Sequence, residues 1–423
     1  MTYLAKVIIA NDIIPHPNAD NLSLLRYNGT QFIVSKNLTP GTIVVLFPED
    51  GQLSEEFCRE NNLFRNASLN RDKLKAGFFE ESRRVRAQLF RKEKSYGFVA
   101  ELSMFAYLGK VTLSPGDEFD TLNGKLVCQK YYTPATLRKM KGNTIKKERE
   151  VVYDLKEHFE TKKFSYYPPA ISEPTNVVIT EKVHGTSART GYVKVTRKLK
   201  GIRWLIGLFN GKKENVSWEH VSGTRRTIVN WRADVTTEGQ RDYYRWEAHN
   251  AIAPLLRKGE TVYYEIVGYD SLGGTIMERQ DIGKIRDKSK VNPEWRNPMV
   301  YSYGVPERER DIYIYRITMQ TADMEIEFSW KQVVQRCREL GLKPVPILQE
   351  FTTDSLEQLQ RIVAGYMTDG SSTLDRRHLM EGIVIRLEDS KGVRVLKEKN
   401  YMFGILEGYL KEKDSYVDEE EAN

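Results

Sequence analysis

"EKVHGT", residues 181–186, decides how this chain is read. It follows the apolar run Val177-Val178-Ile179, which predicts a strand, so Lys182 stands where that strand gives way to a turn at Gly185. A lysine in such a place is ordinarily a solvated surface charge. The alternative is a nucleophile, and that reading makes a demand on the rest of the chain. An ammonium with an unperturbed pKa of about 10.4 becomes a competent amine near neutral pH only when burial, neighbouring cations or a metal favour its free form. Cations and carboxylates must therefore be supplied elsewhere.

They occur in order. Arg225 lies in "VSGTRRT", Glu265 ends the strand-like "VYYEIVG", Tyr315 sits in "DIYIYRI", Glu381 opens "EGIVIR", and Lys397 and Lys399 close "RVLKEKN". Residues two apart on a strand project to one face, so the two lysines can point at one anion and help depress the pKa of Lys182. No GxxxxGK[ST], HExxH or GxSxG is present, which removes support for the usual phosphate-loop, zincin and hydrolase readings.

Composition sets the frame. At 423 residues two domains are expected, each with its own core. The net charge of +7 is compatible with a polyanionic partner and is weak support for one. Cys58, Cys128 and Cys337 are widely spaced and odd in number, which suggests neither a disulfide framework nor a cysteine zinc site and fits a reducing, intracellular (cytoplasmic) location. No run of eighteen apolar residues and no export signal is read, so no membrane attachment is expected.

From residue 1 to 124, short apolar runs broken by turn residues suit a small β-barrel, with Asn28-Gly29 marking a hairpin. Residues 125–169, with "KMKGNTIKKERE", read as a basic linker. Residues 170–410 alternate strands and helices. In that part Ser329 opens a helix whose Val333, Val334, Cys337 and Leu340 form an apolar stripe; Lys331, Gln335, Arg336 and Glu339 are expected to face out and Gly341 to cap it. Residues 411–423 read as an acidic, disordered tail. His16, in "PHPNAD", reads as a structural residue of a turn.

Together these stretches resemble motifs I, Ia, III, IIIa, IV and V of the ATP-dependent RNA ligases, within the covalent nucleotidyltransferase superfamily that also holds DNA ligases and mRNA capping enzymes. Lys182-Val183-His184-Gly185 matches the histidine form of motif I. The N-terminal text "LAKVIIANDIIPHPNADNLSLLRYNGTQFIVSK" resembles the N-terminal OB domain of RNA ligase family five, and "HPNADNL" is also similar to tRNA-binding OB modules. Only 24 residues follow Lys399, too few for the C-terminal OB domain that carries motif VI in DNA ligases and capping enzymes.

The resemblance implies an α+β protein, an N-terminal OB-fold β-barrel joined to an ATP-grasp-like nucleotidyltransferase domain built on antiparallel sheets. It implies attack of Lys182 on ATP to give lysyl-AMP, transfer of AMP to a 5′-phosphate end, and sealing by an RNA 3′-OH, with Mg²⁺ or Mn²⁺. Glu381 would hold the metal's hydration shell, and Glu265 the ribose or, through water, a metal. Glu181 and the backbone around Thr180 would read the adenine edge, Tyr315 would stack on it, and His184 and Gly185 would complete motif I. His184 replaces the aspartate of many members, which leaves its metal contact open. Arg225, or its neighbour Arg226, would touch the nucleotide or the 5′-phosphate, and Lys397 and Lys399 the α-phosphate. The expected partner is RNA or an RNA-containing nicked duplex, bound by a monomer. Arg83, Arg84, Arg86, Arg91 and Lys92 are candidates for backbone contacts. The competing readings are a DNA ligase, a capping-type guanylyltransferase, and a nucleic-acid-binding protein that has lost activity.

Overall fold

The computed structural model describes residues 3–91, 93–132, 154–159, 161–198, 214–225, 227–229, 240–285, 288–322 and 324–407. Lys92, Arg226, residues 133–153 and 160 of the basic linker, and the acidic tail lie outside them.

In the N-terminal region Thr42–Pro48 is apolar on both faces and forms the centre of a four-stranded antiparallel sheet, between Ala5–Ala10 and Gly97–Glu101, with Glu118–Phe119 at one edge. Its alternation divides the core. Val45 and Phe47 join Val7, Phe57 and Phe105 on one side, and Val44 and Leu46 join Ile8, Leu25 and Phe32 on the other. A meander of Asp12–Pro15, Leu22–Tyr27 and Thr30–Ser35 covers that second side. Its hairpin turns at Asn28 (φ 51°) and Gly29 (φ 79°), the positive φ pair that the sequence requires.

The region is mixed α+β with mostly antiparallel sheets, but the described strand pairings do not close a barrel. Thr30–Ser35 meets the segment leading into the main sheet through Tyr96 N–H to Gln31 O (3.0 Å), Ile33 N–H to Ser95 Oγ (3.0 Å) and Gln31 Nε2 to Lys94 O (3.0 Å), not through a strand ladder. Run spacing reveals strands; it does not reveal their partners. His16 is a satisfied buried residue, with Nε2 3.1 Å from Phe90 O and Nδ1 accepting from Asn18 N–H at 3.0 Å. All three cysteines are buried and free.

Two antiparallel sheets build the C-terminal region. One runs in the order Lys162–Lys163, Gly392–Lys399, Gly382–Asp389, Thr175–Glu181, Ile347–Thr353. The other centres on Thr186–Lys198, Glu260–Gly268 and Arg310–Gln320, extended by Glu214–Thr224. That last strand lies in the long text between Lys182 and Glu265, which is thus partly a hairpin added to the sheet; residues 199–213 lie outside the described set. The chain passes from one sheet to the other at residues 182–185. Gly185 is needed there because a Cβ would come 2.7 Å from Ile266 O.

Sheet additions occur inside the stretch read as a linker. Cys128–Lys130 pairs with Gly51–Leu53, and Lys162–Lys163 pairs in parallel with Leu396–Lys397. Tyr166 then enters the N-terminal apolar cluster beside Phe32, while Tyr96 packs edge-on against Tyr401 at 5.8 Å.

The helix Trp330–Leu340 forms as its sequence demands, with a Ser329–Gln332 capping box and Gly341 in the left-handed region at φ 67°. Val333, Cys337 and Leu340 are buried. Arg336 corrects the expectation. It faces inward, because the buried Glu260 on a neighbouring strand needs a partner; Nε and Nη2 donate to its two oxygens at 2.7 and 2.8 Å. A helical stripe cannot show a partner 76 residues away. Among the described residues no helix is long and apolar enough to cross a membrane.

Candidate active site

Lys182 follows the apolar strand Thr175–Glu181, and its backbone N–H donates to Gly382 O at 2.9 Å, fixing it beside the strand that Glu381 precedes. Its Nζ lies 2.9 Å from Glu381 Oε1, and Lys399 Nζ lies 2.8 Å from the same oxygen. The other oxygen of Glu381 is 3.2 Å from His184 Nδ1. Burial opposes ionisation of Glu381, but Lys182, Lys399 and the His184 hydrogen bond outweigh it and hold the carboxyl well below the usual range. The side chain is buried, 2% exposed, so this is a true interior charge compensated by cations.

His184 is held for that contact. Its ring lies edge-on between Tyr301 (4.8 Å) and Phe403 (4.9 Å), and the His184 backbone N–H donates to Tyr303 Oη at 2.5 Å. Nε2 stands 3.6 Å from Glu407.

A cavity of about 130 Å³ opens next to Lys182, between the sheets. Of the residues singled out in the sequence, Thr180, Glu181, Arg225, Glu265, Tyr315 and Lys397 line it together with Lys182. Lys397 is half-buried near Lys399, Lys182 and Arg225, and its partial burial with those charges brings its pKa down to about 8. Glu265 has the opposite problem. Burial pushes its carboxyl up to about 8 despite Lys182 nearby, and its Oε2 is buried with no hydrogen-bond partner among the described residues. Tyr315 pairs its hydroxyl with Ser187 Oγ at 2.8 Å. Arg225 is anchored through its carbonyl, which accepts from Arg189 Nη1 at 2.6 Å.

Glu181 lines the cavity, but its carboxylate is already engaged, accepting from Ser372 Oγ (2.6 Å) and from Thr373 N–H (2.9 Å) and Oγ1 (2.5 Å). Its backbone N–H is committed as well, donating to Pro346 O at 2.9 Å. Motif reading also missed residues on the walls. His158, Thr161, Trp330, Val345, Val384 and Arg386 all contribute. Val384 could have been found, since it lies two positions beyond Gly382 on the strand that Glu381 introduces; His158 stands alone in text read as linker.

Among the described residues no three His, Cys, Asp or Glu side chains gather into a metal cage. The donor set still fits a hard divalent ion of the kind that keeps waters and substrate phosphates as ligands, because Glu265 presents one uncommitted buried oxygen and feels the charge of Glu381 nearby.

Solved structures with the same fold include the Naegleria gruberi RNA ligase with PPi, 16% identical, covering 95% of this chain and 97% of that one with a TM-score of 0.60. A lysine-to-alanine variant of that ligase with ATP and Mn is 16% identical over 96% of this chain and 98% of that one, with a TM-score of 0.58. A lysine-to-methionine variant with AMP and Mn is 17% identical over 94% and 97%, with a TM-score of 0.57. No curated protein sequence matches the chain significantly. Residues 175–399, more than half of the chain and the span that holds every catalytic candidate above, match the RNA ligase family, and the chain belongs to that family.

Proposed function

We propose that this protein is an ATP-dependent RNA ligase that seals 3′-OH and 5′-phosphate ends at nicks, with RNA on the 3′-OH side, through an AMP carried on Lys182. The observation that carries this reading is the sharing of one buried carboxylate oxygen by Lys182 and Lys399, with Lys397 and Arg225 alongside and a cavity next to them. The binding of ATP with Mn, and of AMP with Mn, by the Naegleria ligase variants supports ATP as the nucleotide.

Lys182 Nζ, having lost its proton, attacks the α-phosphorus of ATP; the bond to the bridging oxygen breaks and diphosphate leaves. AMP then passes to an oxygen of the RNA 5′-phosphate, restoring the amine, and a 3′-OH displaces AMP to form the phosphodiester. Lys397 and Lys399 neutralise the α-phosphate in each step, and Arg225 grips the nucleotide or the end to be sealed. Glu265 takes a ribose hydroxyl on its unsatisfied oxygen, Tyr315 offers an aromatic face to adenine, and the backbone at Thr180 and Glu181 reads its edge. His184 keeps Glu381 turned towards the lysines. Glu381 and Glu265 would hold Mg²⁺ or Mn²⁺, which would supply charge neutralisation on the triphosphate. Residues 1–124, an OB-like module, hold the nucleic acid; residues 170–410 carry the transferase chemistry, and the protein acts as a monomer.

Intact mass after incubation with Mg²⁺ and either ATP or GTP tests this directly. A gain of one AMP with ATP alone, absent in Lys182→Ala, is expected. A gain with GTP points to capping chemistry, and no gain with either points to a binding protein.

A further inference from the structure

His158 reaches the cavity from a short segment far from any motif. That segment is pinned at several points. Leu155 is buried with Val193, Val195 and Val221, Tyr263 Oη donates to Lys156 O at 2.9 Å, and the Arg316 guanidinium lies 4.6 Å from the Phe159 ring centre. The His158 ring is then held edge-on to Tyr315 at 5.1 Å, and its Nε2 is 3.3 Å from Thr161 Oγ1. Both His158 and Thr161 line the same cavity as Lys182.

Its other nitrogen, Nδ1, is buried and has no hydrogen-bond partner among the described residues. Leaving a buried polar atom unpaired costs on the order of 1–3 kcal/mol, so such atoms commonly mark where a ligand supplies the partner. The surroundings say which kind. Burial first, then the charges of Arg316, Arg225, Lys397 and Lys182, bring the imidazole pKa down to about 3. The ring is neutral, with one N–H to give, and four cations converge on it. In the tautomer whose Nε2 accepts from the Thr161 hydroxyl, the ring proton resides on Nδ1. A neutral N–H donor among cations is matched by an anionic oxygen.

Resting on the nucleotide reading above, we propose that His158 is a further nucleotide-binding residue, whose Nδ1–H donates to a phosphate oxygen of the ATP surrounded by Lys182, Lys397 and Arg225. Thr161 is its positioning residue. In this way the segment before the first motif closes one wall of the site.

The test is self-adenylylation of the full chain under single turnover, with ATP and with 2′-deoxy-ATP. His158→Phe keeps a flat ring and loses the donor; it should raise the half-saturating ATP concentration about tenfold, the value of one good hydrogen bond, with the maximal rate within about threefold. His158→Asn, which places an N–H near the same point, should recover most of that loss, and Thr161→Val should cause a smaller one. The loss should be equal for ATP and 2′-deoxy-ATP. A loss confined to ATP would assign the contact to the ribose and overturn the phosphate assignment. Unchanged saturation in His158→Phe, or an equal fall in Tm and affinity in the Phe and Asn variants, would also overturn it. A wild type that takes up no AMP removes the nucleotide reading itself, whereas an active wild type matched by His158→Phe removes only His158.

Discussion

Arg83, Arg84 and Arg86 in the N-terminal region and Lys182, Lys397 and Lys399 in the C-terminal sheets are both basic triplets, yet the fold treats them differently. Each arginine has an acid beside it: Glu55 at 3.8 Å, Asp50 at 3.5 Å (which Lys130 also pairs with, at 3.0 Å) and Glu80 at 3.6 Å, and Arg84 also lies over the Tyr131 ring at 4.4 Å. Two of the lysines share a single oxygen of Glu381, and Lys397 makes no ion pair among the described residues. A compensated triplet has little to gain from an anion. One carboxylate among three lysines leaves positive charge that a phosphate would resolve, and this is how the two triplets differ.

The sharpest way to break the contrast is Lys182→Ala. Adenylylation should fall by more than about 10³-fold, since no other amine sits at that point, while Tm moves by no more than a few degrees because Glu381 retains Lys399 and His184. Residual AMP transfer in that variant would move the nucleophile elsewhere. Glu381→Ala should follow, with a loss of about 10²-fold in rate, the usual scale for removing one preorganised electrostatic group. Here the lysines lose their common anchor, so rate measurements at high ATP should show the defect in the maximal rate rather than in saturation.

Much of this site was legible because its residues carry short-range patterns. Lys182 ends an apolar run, Glu381 opens one, and Lys397 and Lys399 stand two apart on a strand, so each was legible as a candidate, while their meeting in one place was implied by the resemblance to the ligase motifs. The Asn28-Gly29 hairpin and the Ser329-to-Gly341 helix were legible for the same reason. Arg336 and His158 were not, since each takes its meaning from a partner on a distant element, Glu260 for one and Tyr315 for the other. Barrel closure failed likewise: apolar runs count strands, whereas the break at Ser95 and Tyr96 is a matter of which edges meet.

Glu265 offers a smaller effect with a definite sign. Its folded carboxyl titrates near 8, whereas an unfolded one titrates near 4.3, so between those values the folded protein binds more protons than the unfolded chain. Stability contributed by this group is therefore full below about pH 4.3 and is lost as pH rises towards 8. Glu265→Gln lacks that loss. Relative to wild type its Tm should rise between pH 5 and pH 8, by something on the order of 5 °C. A parallel pair of Tm curves would show that the carboxyl is ionised in the free protein.

The smallest effects belong to the N-terminal arginines, and there the contrast can be sharpened from its other side. Of the three pairs, Arg86 with the half-exposed Glu80 is open to solvent on the acid's side, and such pairs contribute little, about 0.2–1 kcal/mol, so Glu80 restrains Arg86 weakly and an RNA phosphate can draw it away. If Glu80 keeps Arg86 off the nucleic acid, Arg86→Ala should change RNA affinity less than about twofold, whereas Glu80→Gln should raise it about two- to threefold at low salt and steepen the salt dependence by up to about one phosphate contact. The opposite pattern, a loss with Arg86→Ala and no change with Glu80→Gln, would place Arg86 on the RNA backbone already and show that the acid beside it restrains nothing.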